Sequence, residues 1–225
     1  ELGKDCLAGL KVLDIGCNTG EISLAVARHL GARRVIGCDI DESLVEAAIS
    51  NRDALVESSA SAAGGSKASS ASKSVTSTGG GSCKVTFRAE DFLESPLQRP
   101  PSDEPELFEA ILCFSVTKWI HFVKGDAGIR KLFKRVFKRL TPGGIFVLEP
   151  QEWSSYKKKR HLSPAIRQTV AGIEMRPEAF DDFLLSIGFE RKATIAPPAE
   201  GPQGFRRSIR VFTKPAALQA EPLSG

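Results

Sequence analysis

Four stretches of the chain bring together residue types that can do chemistry. Asp14-Ile15-Gly16-Cys17-Asn18-Thr19-Gly20 sets two glycines four apart behind a carboxylate, where an apolar run gives way to a helical pattern. Glycines at such a turn let the backbone come close to a ligand, and the start of a helix presents N–H groups that have no partner of their own. Asp39 closes a second apolar run 19 residues beyond Gly20, and Glu90-Asp91 follows a third. Two further runs lead into Ser115-Val116-Thr117-Lys118-Trp119-Ile120-His121-Phe122-Val123-Lys124-Gly125-Asp126 and into Glu149-Pro150-Gln151-Glu152-Trp153-Ser154-Ser155-Tyr156-Lys157-Lys158-Lys159-Arg160. Each feature also has a plain structural explanation. Asp14 and Asp39 can cap turns, the glycines can make tight loops, His121 can be a satisfied core histidine and Trp119 can be core packing.

The elements that must position these residues are legible as alternating strands and helices. Lys11–Ile15 reads as a strand, Glu21 to Leu30 as a helix and Arg34–Asp39 as a strand, which makes one βαβ unit. A second helix, through Leu44, Val45, Ala48, Ile49, Leu55 and Val56, ends at a Ser-rich insertion, and Lys84–Phe87 resumes as a third strand. Phe108–Phe114 is continuous and apolar enough to lie inside a parallel sheet. Ile129, Leu132, Phe133, Val136, Phe137 and Leu140 then give a helix at 127 to 140 its stripe, Thr141-Pro142-Gly143-Gly144 stops it, and Ile145–Glu149 is a fifth strand. After a basic loop and a short helix around Ser163 to Ala171, Pro177 opens a helix that Gly188 closes. Two late strands, Phe189 to Ala196 and Phe205 to Thr213, complete an expected mostly parallel, Rossmann-like sheet of seven strands with helices on both faces.

Composition bounds the rest. The 225 residues, 41% hydrophobic and 26% charged, suit a single domain with a sizeable core and exclude a wholly disordered or fibrous chain. Residues 58–82 hold 10 Ser, 5 Ala and 5 Gly with Val75 the one branched apolar residue, so they read as a disordered, solvated insertion that adds nothing to a core. A phosphorylated regulatory loop is the alternative for this segment, and residues 215–225 read as a flexible tail. No apolar run approaches the roughly 20 residues that cross a bilayer, and Glu1–Asp5 lacks the basic and apolar regions of a signal peptide, so neither membrane insertion nor secretion is expected. The five scattered cysteines contain no C-x-x-C pair, so a reduced compartment and no metal are expected.

A dinucleotide site usually shows G-x-G-x-x-G, with its pyrophosphate directly on the turn. Here Asn18 occupies the middle position, and the motif resembles the D-x-G-x-x-G form of S-adenosylmethionine-dependent methyltransferases. In that setting Asp39 fits a carboxylate that accepts from both ribose hydroxyls, and Glu90-Asp91 falls where this class contacts the adenine edge. The runs D-I-G-C-N, T-K-W-I-H with its later G-D, L-E-P-Q-x-W-S-S-Y and Gly204-Phe205-Arg206-Arg207 closely resemble the Bicoid-interacting family of RNA methyltransferases, and together they thread most of the chain.

The resemblance implies S-adenosyl-L-methionine as cofactor and methyl transfer to the 5′-terminal γ-phosphate of a small noncoding RNA. It implies cofactor contacts at Gly16, Cys17, Asn18, Gly20, Asp39, Ile40, Glu90, Asp91 and Phe114, and substrate contacts in the Lys118 to His121 block. Lys118 and His121 are expected to hold the phosphate, with Trp119, Tyr156, Lys157, Lys158 and Arg206 guiding the RNA. Trp153 and Phe205 either stack on a base or are buried. The family usually carries a Tyr- and Arg-rich segment ahead of the first strand, where about ten residues precede Val12 here, so a lid is expected to be missing or replaced. Glu152 stands where the family often has proline. The resemblance also implies a nuclear setting, with the cytoplasm as alternative, a La-related partner and a body that is monomeric on its own.

The net charge of +4 is too small to point to nucleic acid by itself. The helix at 127–140 carries Arg130, Lys131, Lys134, Arg135, Lys138 and Arg139, more in keeping with an ordinary solvated face, whereas Lys157 to Arg160 adjoin the expected catalytic edge. Three alternatives to methylphosphate capping remain open: methylation of a 5′-monophosphate, a non-catalytic subunit that holds an RNA end, and methylation of a small molecule, which leaves the basic loop unexplained.

Overall fold

The computed structural model describes residues 6–63, 74–78, 81–99, 102–159, 161–197 and 207–216. In chain order the elements are β1 (Lys11–Ile15), α1 (Glu21–His29), β2 (Arg34–Asp39), α2 (Glu42–Ala63), β3 (Ser74–Thr76), β4 (Ser82–Ala89), β5 (Gln98–Arg99), β6 (Ser102–Pro105), β7 (Phe108–Phe114), α3 (Thr117–Arg139), β8 (Leu140–Glu149), α4 (Trp153–Lys159), α5 (Pro164–Ala171), α6 (Phe180–Ser186), β9 (Glu190–Ile195) and β10 (Ile209–Thr213). One sheet takes eight strands in the order β3-β4-β2-β1-β7-β8-β10-β9. Its centre, β4-β2-β1-β7-β8, is parallel, while β3 and β10 pair antiparallel at its flanks. This is the expected architecture with one strand more than the seven anticipated.

Period-two alternation explains why both faces are covered. Leu13, Ile15, Ile111, Cys113, Phe146 and Leu148 point to one face, where they meet Ile129, Leu132, Phe133 and Val136 of α3. Val12, Val35, Ala110, Leu112 and Val147 point to the other, against Val26 and Ala27 of α1. The apolar stripe at 129–136 thus does what its spacing predicts.

Three differences from the sequence reading have physical causes. The extra strand is Ser74–Thr76, which pairs with β4 and buries Val75 to 2% exposure, so the expectation that 58–82 contributes nothing to a core fails at this residue. α2 likewise runs on to Ala63, since Ser and Ala continue a helix that upstream residues have already nucleated; residues 64–73 and 79–80 lie outside the described residues. Second, α3 begins at Thr117 rather than near residue 127, in two helical segments joined where Gly125 takes φ 59° and ψ −160°. The T-K-W-I-H residues therefore sit on a helix.

Third, the basic run Lys157–Lys159 belongs to α4 and not to a loop. The other basic stretch, on α3, proves partly structural. Arg139 is fully buried and donates from Nη2 to Pro96 O at 3.0 Å, Arg135 Nε donates to Phe92 O at 2.8 Å and its Nη2 to Ser95 O, and Lys131 pairs with Glu94 at 2.6 Å. These side chains staple the 92–96 turn onto α3. The docking of β3 is directly testable: Val75→Ala should cost about 1–2 kcal/mol of stability in urea unfolding, as for loss of buried methyl groups, whereas a solvated segment would show no change.

Candidate active site

Register brings the chemistry to one edge. Ile15 lies opposite Cys38 and Cys113, Asp39 opposite Ala89, and Phe114 opposite Glu149, so five parallel strands end level and their following residues share one rim. At the β1–α1 turn the Gly16 and Cys17 amides both donate to Cys38 O, at 2.7 and 3.0 Å. Gly16 has φ +71°, and a Cβ there would come within 2.2 Å of Val116 Cγ2, so glycine is required on both counts. Asn18 takes the left-handed conformation at φ 49°, its Oδ1 accepts from Thr19 N at 2.7 Å, and Gly20 starts α1 with no side-chain cap.

The carboxylates divide by environment. Asp39 Oδ2 accepts from Asn18 N at 3.0 Å and Oδ1 from Asp41 N at 3.1 Å, which leaves each oxygen a lone pair for a vicinal diol. Ile40 beside it is 74% exposed, an apolar side chain held at the rim where a flat ring can cover it. Glu90 N donates to Asp39 O at 2.8 Å, which seats the Glu90-Asp91 turn against this edge. Asp91 itself caps that turn, with Oδ1 accepting from Leu93 N at 2.8 Å, and Phe114 is half-buried at the end of β7. Asp14 faces inward instead: it is buried and accepts from Ser23 Oγ at 2.6 Å, a brace between β1 and α1. Burial pushes its carboxyl up to about 7 despite the Ser23 bond. Burial also raises the Cys17 thiol to about 12, so it stays protonated beside the turn.

On the other side of the rim, α3 and α4 meet. Lys118 is 8% exposed; its Nζ lies 3.5 Å from Ser155 Oγ and 5.4 Å from the Trp119 ring centroid. Burial lowers its pKa, and the nearby cations of Arg207 and Lys159 lower it further. No acidic side chain among the described residues pairs with it, whereas Trp119 is 50% exposed beside it and Lys157, Lys158 and Lys159 are exposed along α4.

Two predicted contacts are corrected by burial. His121 is fully buried and bonded at both ring nitrogens, to Asp126 Oδ1 at 2.9 Å through Nε2 and to Tyr156 Oη at 3.2 Å through Nδ1. Burial raises the Asp126 carboxyl, but its bonds to His121 and to the Met175 and Glu174 amides outweigh that and hold its pKa below the usual range. An ionised carboxylate only accepts, so Nε2 carries the hydrogen and Nδ1 accepts from the Tyr156 hydroxyl. Burial outweighs Asp126 and lowers the His121 pKa, which keeps the ring neutral. Neither His121 nor the fully buried Tyr156 is free to grip RNA from here; both fix the start of α3 against α4. Trp153 is half-buried beside Tyr156, with centroids 5.0 Å apart. Arg160, Gly204, Phe205 and Arg206 lie outside the described residues.

A third group carries no role in the sequence reading. Ser115, a non-glycine residue at φ 60°, donates from Oγ to Glu149 Oε1 at 2.6 Å. Arg207 Nη1 donates to both, at 2.5 and 2.9 Å. Gln151 Nε2 donates to Ser115 O, while its Oε1 accepts from Lys118 N at 3.3 Å and Thr117 Oγ1 at 3.4 Å. The Gln of the E-P-Q run was the available signal, because a buried amide needs both kinds of partner.

The family model for Bicoid-interacting protein 3 matches residues 108–214, and a methyltransferase-domain model matches 12–64. The U6 snRNA methylphosphate capping enzyme Amus of Drosophila melanogaster is 34% identical over 93% of this chain and 65% of its own length. The 7SK snRNA methylphosphate capping enzyme of Mus musculus is 31% identical over 92% of this chain and 36% of its own. The chain belongs to the Bicoid-interacting family of RNA methyltransferases. It spans about a third of the mouse relative and about two thirds of the fly one. The RNA 5′-monophosphate methyltransferase of Mus musculus is 26% identical over 64% of this chain and 47% of its own. The N-methyltransferase NodS of Bradyrhizobium japonicum shares the fold, with a TM-score of 0.58 at 16% identity over 92% of this chain and 88% of its own.

The raised Asp14 carboxyl has a sign that can be checked. The folded state holds this proton more tightly than the unfolded chain, so its contribution to stability is complete below about pH 4 and is lost as pH rises through about 7. Relative to Asp14→Asn, the native chain should therefore lose stability across that window in urea unfolding at stepped pH. A constant difference between the two would place the Asp14 carboxyl in water.

Proposed function

We propose that this chain uses S-adenosyl-L-methionine to methylate the 5′-terminal γ-phosphate of a small noncoding RNA. The observation that carries the reading is Lys118: its side chain is mostly covered, its partly buried ammonium has no acidic partner among the described residues, and it is set at the strand ends across the rim from the Gly16 turn and Asp39. A buried cation without a counter-charge is costly unless an anion joins it. The glycine turn, the two remaining lone pairs of Asp39 and the exposed Ile40 suit the amino acid, ribose and adenine parts of the cofactor, which supplies a sulfonium methyl group when bound.

No dedicated base is required. A terminal phosphate has a second pKa of about 6 and is mostly dianionic near neutral pH. A ring of cations would dull such a nucleophile, so the task of the protein is placement. Lys118 holds the phosphate, the Ser155 hydroxyl, which itself donates to Glu152 O at 2.8 Å, steadies its ammonium, Gln151 fixes the Lys118 backbone, and His121 with Tyr156 locks that helix to α4. Lys157, Lys158 and Lys159 continue as a cationic track for the RNA backbone.

The γ-phosphate is favoured over a monophosphate because the capping relatives match at 31–34% over more than nine tenths of the chain, against 26% over 64% for the monophosphate enzyme. The proposal includes a nuclear setting, since those relatives are named for small nuclear RNAs. It also includes a La-related partner and a monomeric body, both supported by the family resemblance.

With labelled S-adenosylmethionine and matched RNAs ending in triphosphate, monophosphate or hydroxyl, label is expected on the triphosphate RNA alone. Lys118→Ala should lower that turnover on the order of 100-fold, as for removal of a positioned charge, with cofactor binding retained. Equal labelling of hydroxyl-ended RNA, or full turnover in Lys118→Ala, would overturn the reading. Changing Lys157, Lys158 and Lys159 together to Gln should weaken RNA binding and flatten its salt dependence by roughly one log–log slope unit for each phosphate no longer neutralised. An unchanged slope would remove α4 from the RNA path.

A further inference from the structure

The edge of the sheet opposite the candidate site carries a row of cations. Lys11 opens β1, Arg34 opens β2 and Lys84 lies in β4, and register sets Lys11 opposite Arg34 and Arg34 opposite Lys84. Directly opposed residues leave a parallel sheet on the same face, and adjacent strands lie roughly 4.8 Å apart, so these charges stand side by side. The row lies roughly 13 Å from the rim, the length of β1 at about 3.3 Å per residue step. We propose that it seats a free, phosphate-sized oxyanion held by Arg34, Lys84 and the Thr86 hydroxyl.

The balance of charge gives the sign of the ligand. Glu106 pairs with Lys11 Nζ at 3.2 Å and takes the Arg88 guanidinium on both oxygens, at 2.7 and 3.2 Å. Glu109 is engaged by Arg33 at 2.6 Å and by the Lys11 amide at 2.7 Å. Arg34 and Lys84 have no acidic partner among the described residues. Like charges directly opposed across strands are destabilising. Burial lowers the Lys11 pKa against the pull of Glu106, and the charges of Arg34 and Arg88 lower it further, so the fields of the row overlap.

Unused donors give the ligand its shape. Arg34 Nε and Thr86 Oγ1 are both shielded from water and have no hydrogen-bond partner among the described residues. Thr86 lies two residues beyond Lys84 on β4, hence on the same face, and its register partner Ile36 lies two beyond Arg34. The two donors therefore adjoin, and a shielded polar group without a partner is costly until an acceptor arrives. A guanidinium edge, a hydroxyl and an ammonium converging from two adjacent strands suit a tetrahedral oxyanion, which presents acceptors in several directions, whereas a planar carboxylate presents them in one plane. Arg34, Lys84 and Thr86 are all half-buried, which favours a small free ion over the backbone of a polymer.

The test is urea unfolding in millimolar inorganic phosphate against chloride at matched ionic strength. Phosphate should raise the midpoint of the native chain. In isothermal titration on a Lys118→Ala background, Arg34→Gln and Lys84→Gln should each weaken phosphate about tenfold, as for loss of one charge-assisted partner. In chloride the same two variants should be no less stable than the native chain, because each relieves a like-charge opposition. Thr86→Val should raise the midpoint in chloride, where the hydroxyl has no partner, and shrink the gain from phosphate. Lys118→Ala should keep that gain, which separates this seat from the rim and makes it independent of the methylation reading. A phosphate gain that is absent, equal in the native chain and Arg34→Gln, or lost in Lys118→Ala would overturn the proposal. So would an Arg34-dependent response to 5′-hydroxyl RNA where inorganic phosphate has no effect, since that would assign the row to a nucleic-acid backbone.

Discussion

The level ending of β1, β2, β7 and β8 leaves a row of backbone groups beyond the last ladder bonds, and the described residues of the candidate site are attached to that row. Backbone polar groups at such an edge need partners. At the β1–β2 end the Cys38 carbonyl takes two amides from the Gly16 turn, which pulls the turn against β2 and sets Asp39 beside Asn18. At the β7–β8 end the same need is met by side chains: Gln151 takes the Ser115 carbonyl and the Lys118 amide, and Glu149 takes the Ser115 hydroxyl. One end is thereby closed by glycine and backbone, which leaves room for a ligand. The other is closed by a polar network, which leaves a cation facing the rim.

That network explains why buried polar residues are concentrated here. Thr117, Lys118, His121 and Gln151 are all buried, and with Tyr156 they sit where α3 and α4 cross the strand ends. A polar group taken from water costs free energy unless bonded, so the cluster is tolerable only when its members satisfy one another. His121 and Gln151 are satisfied in full, His121 at both nitrogens and Gln151 at both ends of its amide. Lys118 is the exception, with a lone hydroxyl for its ammonium. The bonded members make a rigid mount, and the incompletely satisfied member is the one on which the proposed phosphate contact rests.

Much of the fold was legible because burial on two faces writes itself into the sequence. Leu13 and Ile15 alternating with Val12 make the continuous apolar run of a strand covered on both faces, and Ile129, Leu132, Phe133 and Val136 at helical spacing mark the one face that α3 buries. Val75 was illegible for the opposite reason: three residues paired at a sheet edge have no period to detect, and their surroundings look like a linker. The T-K-W-I-H helix was missed since Gly125 interrupts the pattern after eight residues. Within the site, Gly16, Asp39 and Lys118 are found where their spacing placed them. His121 and Tyr156 are not, because a histidine or tyrosine suited to gripping phosphate is equally suited to a buried pair, and residue type alone does not distinguish them.

Charge follows the same division between mount and ligand surface. Arg135 and Arg139 spend their guanidinium groups on carbonyls of the 92–96 turn, Lys131 on Glu94, and Arg207 on Glu149. Lys131 and Arg207 add little to an outside field because a carboxylate offsets each, while Arg135 and Arg139 are committed to folding through their carbonyl bonds. Lys118 and the lysines of α4 have no carboxylate partner among the described residues, and they lie on the rim. A net charge of +4 over the whole chain therefore understates the local field at the strand ends. The consequence is that Lys118 and the α4 lysines stand on the side where β7 and β8 end, while the carboxylates of Asp39, Glu90 and Asp91 stand on the side where β1, β2 and β4 end.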